Sequence, residues 1–245
     1  MSAYFLSDIH LKSINERNSH RLLRFLSSLE ARADLSLFFI GDIFDLWVGS
    51  HAYFGQKFAP ILLEVERLST AGTRIVYFEG NHDLHLGSYW RDNLGAEVYS
   101  EPLCFDLFGK RVRIEHGDYI DPEDKAYLYY RRLIRQPFME ALANRVPGKF
   151  WDLVGSKASE ISRSRSGPKR EQGVEHIRKK IHRYAEAEAK QECFDLMITG
   201  HVHVRDDHSF MVEDRQVRSI NLGSWFEEPA VFELSGDRAS FTYLR

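Results

Sequence analysis

Cysteine is scarce in this chain, with two among 245 residues, Cys104 and Cys193, far apart and in no CxxC pattern. That excludes a disulfide scaffold and a cysteine-built zinc knot, and Cys104 within LCFDLF reads as a small core hydrophobe. Long apolar runs are missing too. None approaches the roughly 18 residues that a membrane-crossing helix needs, and the N-terminus passes straight into YFLSDIHL with no basic region or cleavage site. Internal repeats are also lacking. These absences predict a cytoplasmic protein. With 43% apolar residues the chain can bury a sizeable interior, as one large α/β domain or a core with an insertion.

Net charge is −3, but it is unevenly spread. From Lys125 to Arg183 there are 15 Lys and Arg against 5 Asp and Glu, a surplus of +10 that leaves −13 for the remainder. Such asymmetry suits an anionic partner for that segment, and it equally suits a solvated helical surface.

Five short runs rich in aromatic and β-branched residues, AYFLS, LSLFFI, RIVYFE, RVRIE and FDLMIT, read as buried strands. Helical spacing separates the first three, with Leu22, Leu23, Phe25, Leu26 and Leu29 in one interval and Ile61, Leu62, Val65 and Leu68 in the next. This alternation predicts an α/β sheet with crossover connections. After Gly200, hairpin signals at Glu213 to Gln216 and at Ser235-Gly236-Asp237 predict an antiparallel region that closes the fold. Residues 119–193 read as a mostly helical insertion with a Ser/Arg/Lys-rich centre and a charged helix from about Val174 to Gln191. The core then comprises 1–118 and 194–245.

Each predicted strand ends in polar residues able to bind a metal. AYFLS leads to Asp8-x-His10, LSLFFI to Gly41-Asp42, RIVYFE to Gly80-Asn81-His82-Asp83, RVRIE to His116-Gly117-Asp118, and FDLMIT to Gly200-His201-x-His203. Any one of these fits an ordinary turn. Five at the carboxyl ends of strands, where open α/β sheets bind ligands, form a mixed N/O set suited to Mn, Fe, Zn or Co and not to calcium. Seven ligands exceed the needs of one tetrahedral ion, whereas two ions sharing a carboxylate would use them all.

The ordered set D-x-H, G-D, G-N-H-D, H and G-H-x-H, spanning Asp8 to His203, resembles the calcineurin-like metallophosphoesterases. That resemblance implies a four-layer α/β/β/α sandwich carrying the helical insertion as a lid. It implies two divalent ions, manganese by the same likeness, one held by Asp8, His10, Asp42 and His203. The other would be held by Asp42, Asn81, His116 and His201. His82 would approach the scissile phosphate as a catalytic group, and Asp83 would orient an imidazole beside it.

Within that family, SDIHL, GDIFDLW and HGDYIDPEDKAYLYYRRLIRQPF resemble the UDP-2,3-diacylglucosamine hydrolases, the pyrophosphatases of lipid A assembly. The narrower likeness implies a UDP-linked diacylated glucosamine as substrate, with Asn81, His82, Asp124, Ser162, Ser166 and Lys169 contacting it. Acyl chains would lie among the insertion helices, whose supply of aromatic and aliphatic residues exceeds one packing face. The basic segment would face an anionic membrane surface, peripherally and on the cytoplasmic side. Two departures stand out. His82 occupies the place where those hydrolases typically carry Arg, and Ser166 a place where Asn is common. Two other readings stay open, a cytosolic phosphodiesterase or phosphatase acting on a soluble nucleotide and a binding scaffold of the retromer-subunit kind. Nucleic acid is not an expected partner, because no aromatic stacking platform stands apart from the apolar helices.

Overall fold

The strand LSLFFI shows how the layers arise. In β2 (Leu35–Ile40), Leu35, Leu37 and Phe39 face one way while Phe38 and Ile40 face the other, as a period of two requires. The flanking strands β1 (Ser2–Leu6) and β4 (Arg74–Phe78) follow suit. Leu6, Ile75 and Tyr77 join the first set, and Ala3, Phe5, Val76 and Phe78 the second. Burial on both faces explains why these strands read as unbroken apolar runs.

The computed structural model describes residues 1–153, 170–236 and 238–245. On the first face of the sheet lie α1 (Arg17–Ser28), α3 (Ala59–Thr70) and α4 (Gly87–Leu94), preceded in one case by the short α2 (Ala52–Lys57). Helix α1 buries Leu22, Phe25 and Leu26, and α3 buries Ile61, Leu62, Val65 and Leu68, the stripes that the spacing predicts. The sheet is completed by β6 (Glu97–Tyr99), β12 (Ala230–Ser235) and β13 (Ala239–Tyr243) in the order β13-β12-β1-β2-β4-β6. Strands β1, β2, β4 and β6 are parallel, and β12 and β13 antiparallel.

The second face packs on another sheet, built from β7 (Leu103–Leu107), β8 (Lys110–Ile114), β9 (Leu196–Thr199), β10 (Asp206–Val212) and β11 (Arg215–Asn221), ordered β10-β11-β9-β8-β7. Phe105, Val112, Ile114, Ile198 and Ile220 meet Phe5, Phe38 and Val76 between the sheets. A two-stranded ribbon pairs β3 (Trp47–Val48) with β5 (Asp83–Leu84).

Within the helical segment, α5 (Lys125–Ile134) and α6 (Pro137–Arg145) precede a helical stretch at 148–153, and α7 (Arg170–Gln191) follows. Helix α7 lays Ala185 and Ala189 on Met197 and Val217, so it covers the outer face of the second sheet as the fourth layer. Thus the chain has the expected α/β/β/α sandwich. The closing strands differ from the expected single antiparallel region. β10 and β11 extend the second sheet, with β11 parallel to β9, while β12 and β13 extend the first. Hairpin signals mark which neighbours pair but not which sheet each hairpin joins, so pattern alone could not divide them. No helix among the described residues is long and apolar enough to cross a membrane.

Candidate active site

The carboxyl ends of β1, β2, β4, β8 and β9 all reach one rim of the two sheets. There the structure gathers Asp8, His10, Asp42 and His203 in one cluster and Asp42, His116 and His201 in a second, with Asp42 common to both. In the first, the His10 and His203 Nε2 atoms face each other at 3.0 Å, and Asp8 Oδ1 lies 3.3 Å from His203 Nε2 and 4.0 Å from His10 Nε2. In the second, His201 Nδ1 is 3.3 Å from His116 Nε2, which is 3.6 Å from Asp42 Oδ2. Asn81 Oδ1 joins this group, 3.1 Å from His201 Nδ1 and 3.4 Å from His116 Nε2.

Backbone conformation concentrates here. Asp8, His10, Asp42, His201 and His203 all have positive φ, between 52° and 70°. Non-glycine residues adopt that region uncommonly, and strain of this kind collects at functional sites. The glycines that precede the ligands have a separate role, close approach. A Cβ on Gly80 would run into the carboxylate and backbone nitrogen of Asp42, and one on Gly200 into Ser7 and the Asp8 carboxylate.

His116, Asp8 and Asp42 are held from behind. His116 Nδ1 donates to the Ile40 carbonyl at 2.9 Å, which leaves Nε2 free to bind. Asp8 Oδ2 accepts from the His201 backbone at 2.9 Å, and Asp42 Oδ1 from the His82 backbone at 2.9 Å. Asp8 Oδ1, by contrast, is buried and accepts no hydrogen bond. Burial of a carboxylate oxygen in that state is costly unless a cation compensates it. The donor set of imidazole nitrogens, carboxylates and one amide oxygen therefore fits divalent cations, and this orphaned oxygen points the same way.

The field of the site is strongly polarised. Burial opposes the charged form of His116, yet the Asp42, Asp118 and Asp8 carboxylates outweigh it and lift this imidazole to about 9. Burial wins for His10, which falls to about 4 despite Asp42. Asp42 stays far below the usual carboxylate range because the His116, His82 and His10 imidazoles overcome its own desolvation.

His82 and Asp83 occupy different places. The His82 Nδ1 donates to the Asp45 carbonyl at 2.9 Å, and His82, His10 and Asp45 form a third cluster of ligand-type groups. Burial works against the charged form of His82, but Asp42 and the Asp45 carbonyl raise its pKa. Among the described residues Asp83 hydrogen-bonds to no imidazole, contrary to expectation. Its carboxylate accepts from the backbone of Asp42 (3.0 Å), Ile43 (2.8 Å) and Gly80 (2.8 Å) and from the Tyr77 hydroxyl. A buried carboxylate collects whatever donors surround it, and here those belong to the two ligand-bearing turns. Burial, then repulsion from Asp42, pushes it up to about 6.

Asp124 stands at the exposed N-cap of α5, accepting from the Tyr127 backbone at 2.9 Å. Ser162, Ser166 and Lys169 lie outside the described residues. Several site neighbours escaped the motif reading. The Tyr127 ring lies 5.1 Å from that of His201, and its hydroxyl donates to Asp118. Phe226 stacks on His10 at 5.3 Å and meets His203 edge-on. Asp118, with its metal-capable type and its place after His116, instead pairs with Arg131 at 2.7 Å. Burial opposes the ionised form of Asp118, but His116, His201, Arg135 and Arg131 hold it down at about 2.

The profile of the calcineurin-like phosphoesterases matches residues 1–205. The chain belongs to this family. It is a metal-dependent phosphoester hydrolase. Curated relatives of this phosphoesterase extend through the helical segment as well. One is the UDP-2,3-diacylglucosamine hydrolase of Aeromonas salmonicida (strain A449), 30% identical over 96% of this chain and 90% of the relative. Proteins of that name from Neisseria gonorrhoeae (strain ATCC 700825 / FA 1090) and Vibrio vulnificus (strain YJ016) are 27% and 26% identical, covering 98% and 97% of this chain and 96% and 95% of their own lengths.

Proposed function

We propose that this chain hydrolyses the diphosphate of UDP-2,3-diacylglucosamine, releasing UMP and 2,3-diacylglucosamine 1-phosphate. The observation that carries this reading is an apolar surface beside the site. Tyr129, Tyr130, Leu133, Phe138 and Leu142 are exposed on α5 and α6, and α5 also carries Tyr127 with its contact to His201. Contiguous exposed apolar surface marks a binding surface, and acyl chains are the part of this substrate that would cover it.

Two divalent cations, manganese by preference of an N/O set without thiolate, would be held by Asp8, His10, Asp42 and His203 and by Asp42, Asn81, His116 and His201. When bound they neutralise the diphosphate and acidify a water for in-line attack. The protein's own groups do the rest. Asp42 is kept ionised by three imidazoles, and Asp83 holds the backbone on which Asp42 and Asn81 stand. His82, tied at Nδ1, presents Nε2 to a phosphate oxygen, and its raised pKa favours the imidazolium as a hydrogen-bond donor. Asp124, Ser162, Ser166 and Lys169 would contact the substrate.

A second reading, hydrolysis of a soluble nucleotide phosphodiester, is favoured by His82 itself, because an imidazolium can give a proton to a poor leaving group and a guanidinium cannot. Two variants separate them. With metals in place, His82→Ala should slow turnover by about 10²-fold or more. His82→Arg should keep substantial activity on the UDP-lipid, whose phosphate leaving groups need little protonation, and lose activity on a simple alkyl phosphodiester. An inactive Arg variant on the UDP-lipid, with its metals retained, would count against this mechanism. The lipid reading also places the protein peripherally on anionic membrane, through the basic segment and the exposed apolar residues. Flotation with anionic liposomes should therefore be strong at low salt and weaken as salt rises. Absence of flotation at low salt would favour the soluble nucleotide.

A further inference from the structure

A cavity of about 490 Å³ opens beside the site, on the His82 side and away from the contact between Tyr127 and His201. Asp45 lines it, with its carbonyl accepting from His82 Nδ1 at 2.9 Å and its Oδ1 4.0 Å from His10 Nδ1. Three ammonium groups line it, Lys12, Lys57 and Lys149. Lys57 is committed to Asp152, which also accepts from the Tyr53 hydroxyl at 2.7 Å. Lys12 and Lys149 form no ion pair among the described residues. Leu46 and Leu153 supply apolar wall.

These features form one chemical pattern. Two lysines without an ion pair among the described residues line a concave space that reaches Asp45 beside the phosphate-binding rim, so the space attracts an anion that already touches the rim. Beyond them sit a phenol, two aliphatic side chains, and a carboxylate next to an ammonium. That last pair offers an acceptor beside a donor, as the imide edge of a uracil ring requires, with N–H to Asp152 and carbonyl oxygen to Lys57. The volume suits a ligand the size of a nucleotide. The exposed apolar residues of α5 and α6 fit the other half of an amphiphile.

We infer that the Lys12–Lys57–Lys149 cavity is the seat of the nucleotide half of the substrate, a pyrimidine nucleoside monophosphate, with Lys12 and Lys149 as its phosphate and ribose-side anchors. The inference rests on the reading under Proposed function and deepens it. It assigns a direction to the substrate, with the nucleotide running past His82 and Asp45 and the acylated sugar running past Tyr127.

Product inhibition tests it on the full chain loaded with manganese. Hydrolysis of bis(p-nitrophenyl) phosphate is followed in the presence of UMP or of inorganic phosphate, for the unmodified protein, Lys12→Ala, Lys149→Ala and the double variant. UMP should inhibit the unmodified protein more tightly than phosphate does. The double variant should weaken inhibition by UMP about tenfold or more, since two charge-assisted contacts are lost, while inhibition by phosphate moves less than about twofold. Should the double variant misfold, Lys12→Gln and Lys149→Gln, measured singly, give the same comparison. If UMP still outcompetes phosphate equally in all variants, the cavity is not its seat, although the UDP-lipid reading survives. If UMP inhibits the unmodified protein no better than phosphate, the inference and that reading fall together.

Discussion

The rim of the sheets and the surface of α5 and α6 are neighbours with opposite solutions to the same problem. At the rim the polar groups are buried, five ligand residues take strained backbone, and almost every donor and acceptor is tied to a named partner. On α5 and α6 the backbone is ordinary helix, and it is the apolar groups that are misplaced, with Tyr129 71% exposed and Phe138 60% exposed. The difference teaches what each region awaits. The rim offers a prearranged N/O ligand set suited to cations, while the helical surface offers apolar area suited to an apolar partner. Arginines join the two. Arg131 reaches from α5 to Asp118, and Arg135 donates to the carbonyls of Glu79 (3.0 Å) and Gly80 (3.1 Å), directly before Asn81.

The sharpest way to break this picture is to remove the one carboxylate that both metal clusters share. Asp42→Ala should abolish hydrolysis, by about 10³-fold or more, and remove most manganese binding with it, because two-ion chemistry has no partial form here. Calorimetric titration with manganese checks the second half. Two tightly bound ions in the variant would mean that the rim is not organised around Asp42.

Much of the rim could be read from sequence because its ligands come as short contiguous groups after apolar runs. Asp8-x-His10 and Gly200-His201-x-His203 need no knowledge of the fold to be noticed. The role of Asp83 could not be read, since its partners are backbone N–H groups of Asp42 and Ile43, some 40 residues away, and backbone donors leave no trace in side-chain chemistry. The charge of the helical segment overstates what is free on its surface, for a related reason. Arg131 and Arg135 add to its count of +10, yet they are buried against Asp118 and Glu79, and Lys180 and Arg178 face Asp121 and Asp206. A charge count sees residues, whereas a membrane meets only those left unpaired. Helix α7 was legible as a charged helix from about Val174 to Gln191 and runs over Arg170–Gln191; its packing face was harder to read, because Ala185 and Ala189 carry little hydrophobic signal.

The arginine connection itself can be cut. Arg135→Ala removes the donors to Glu79 and Gly80 and leaves the buried Glu79 carboxyl without its cation, so it should lower stability to urea by about 2–4 kcal/mol. A loss under about 0.5 kcal/mol would mean that α5 merely rests on the rim. The same variant should weaken manganese binding at the Asn81 side more than at the Asp8 side, since the Gly80 carbonyl next to Asn81 loses its partner.

The smallest effect expected is also the most specific to the seam. Glu79 is buried, and desolvation first, then repulsion from Asp83, raise it to about 7 although Arg135 pulls the other way. In the unfolded chain it ionises near the ordinary glutamate value of 4.5. Between those two values the folded protein holds the proton and the unfolded chain has released it. Stability attributable to Glu79 is therefore intact below about pH 4.5, falls as pH rises through that window, and levels off above about pH 7. Glu79→Gln keeps the acceptor to the Leu86 backbone and resembles the protonated acid, so it should match the unmodified metal-free protein near pH 5 and exceed it at pH 8 by roughly 1–3 kcal/mol. Urea melts of both proteins across pH 5 to 8 isolate this one group, because every other titration is common to the pair. A difference that stays flat with pH would mean that Glu79 is ionised throughout and fully compensated by Arg135. The seam would then be an ordinary ion pair, and the strain of the rim would end at the metal ligands.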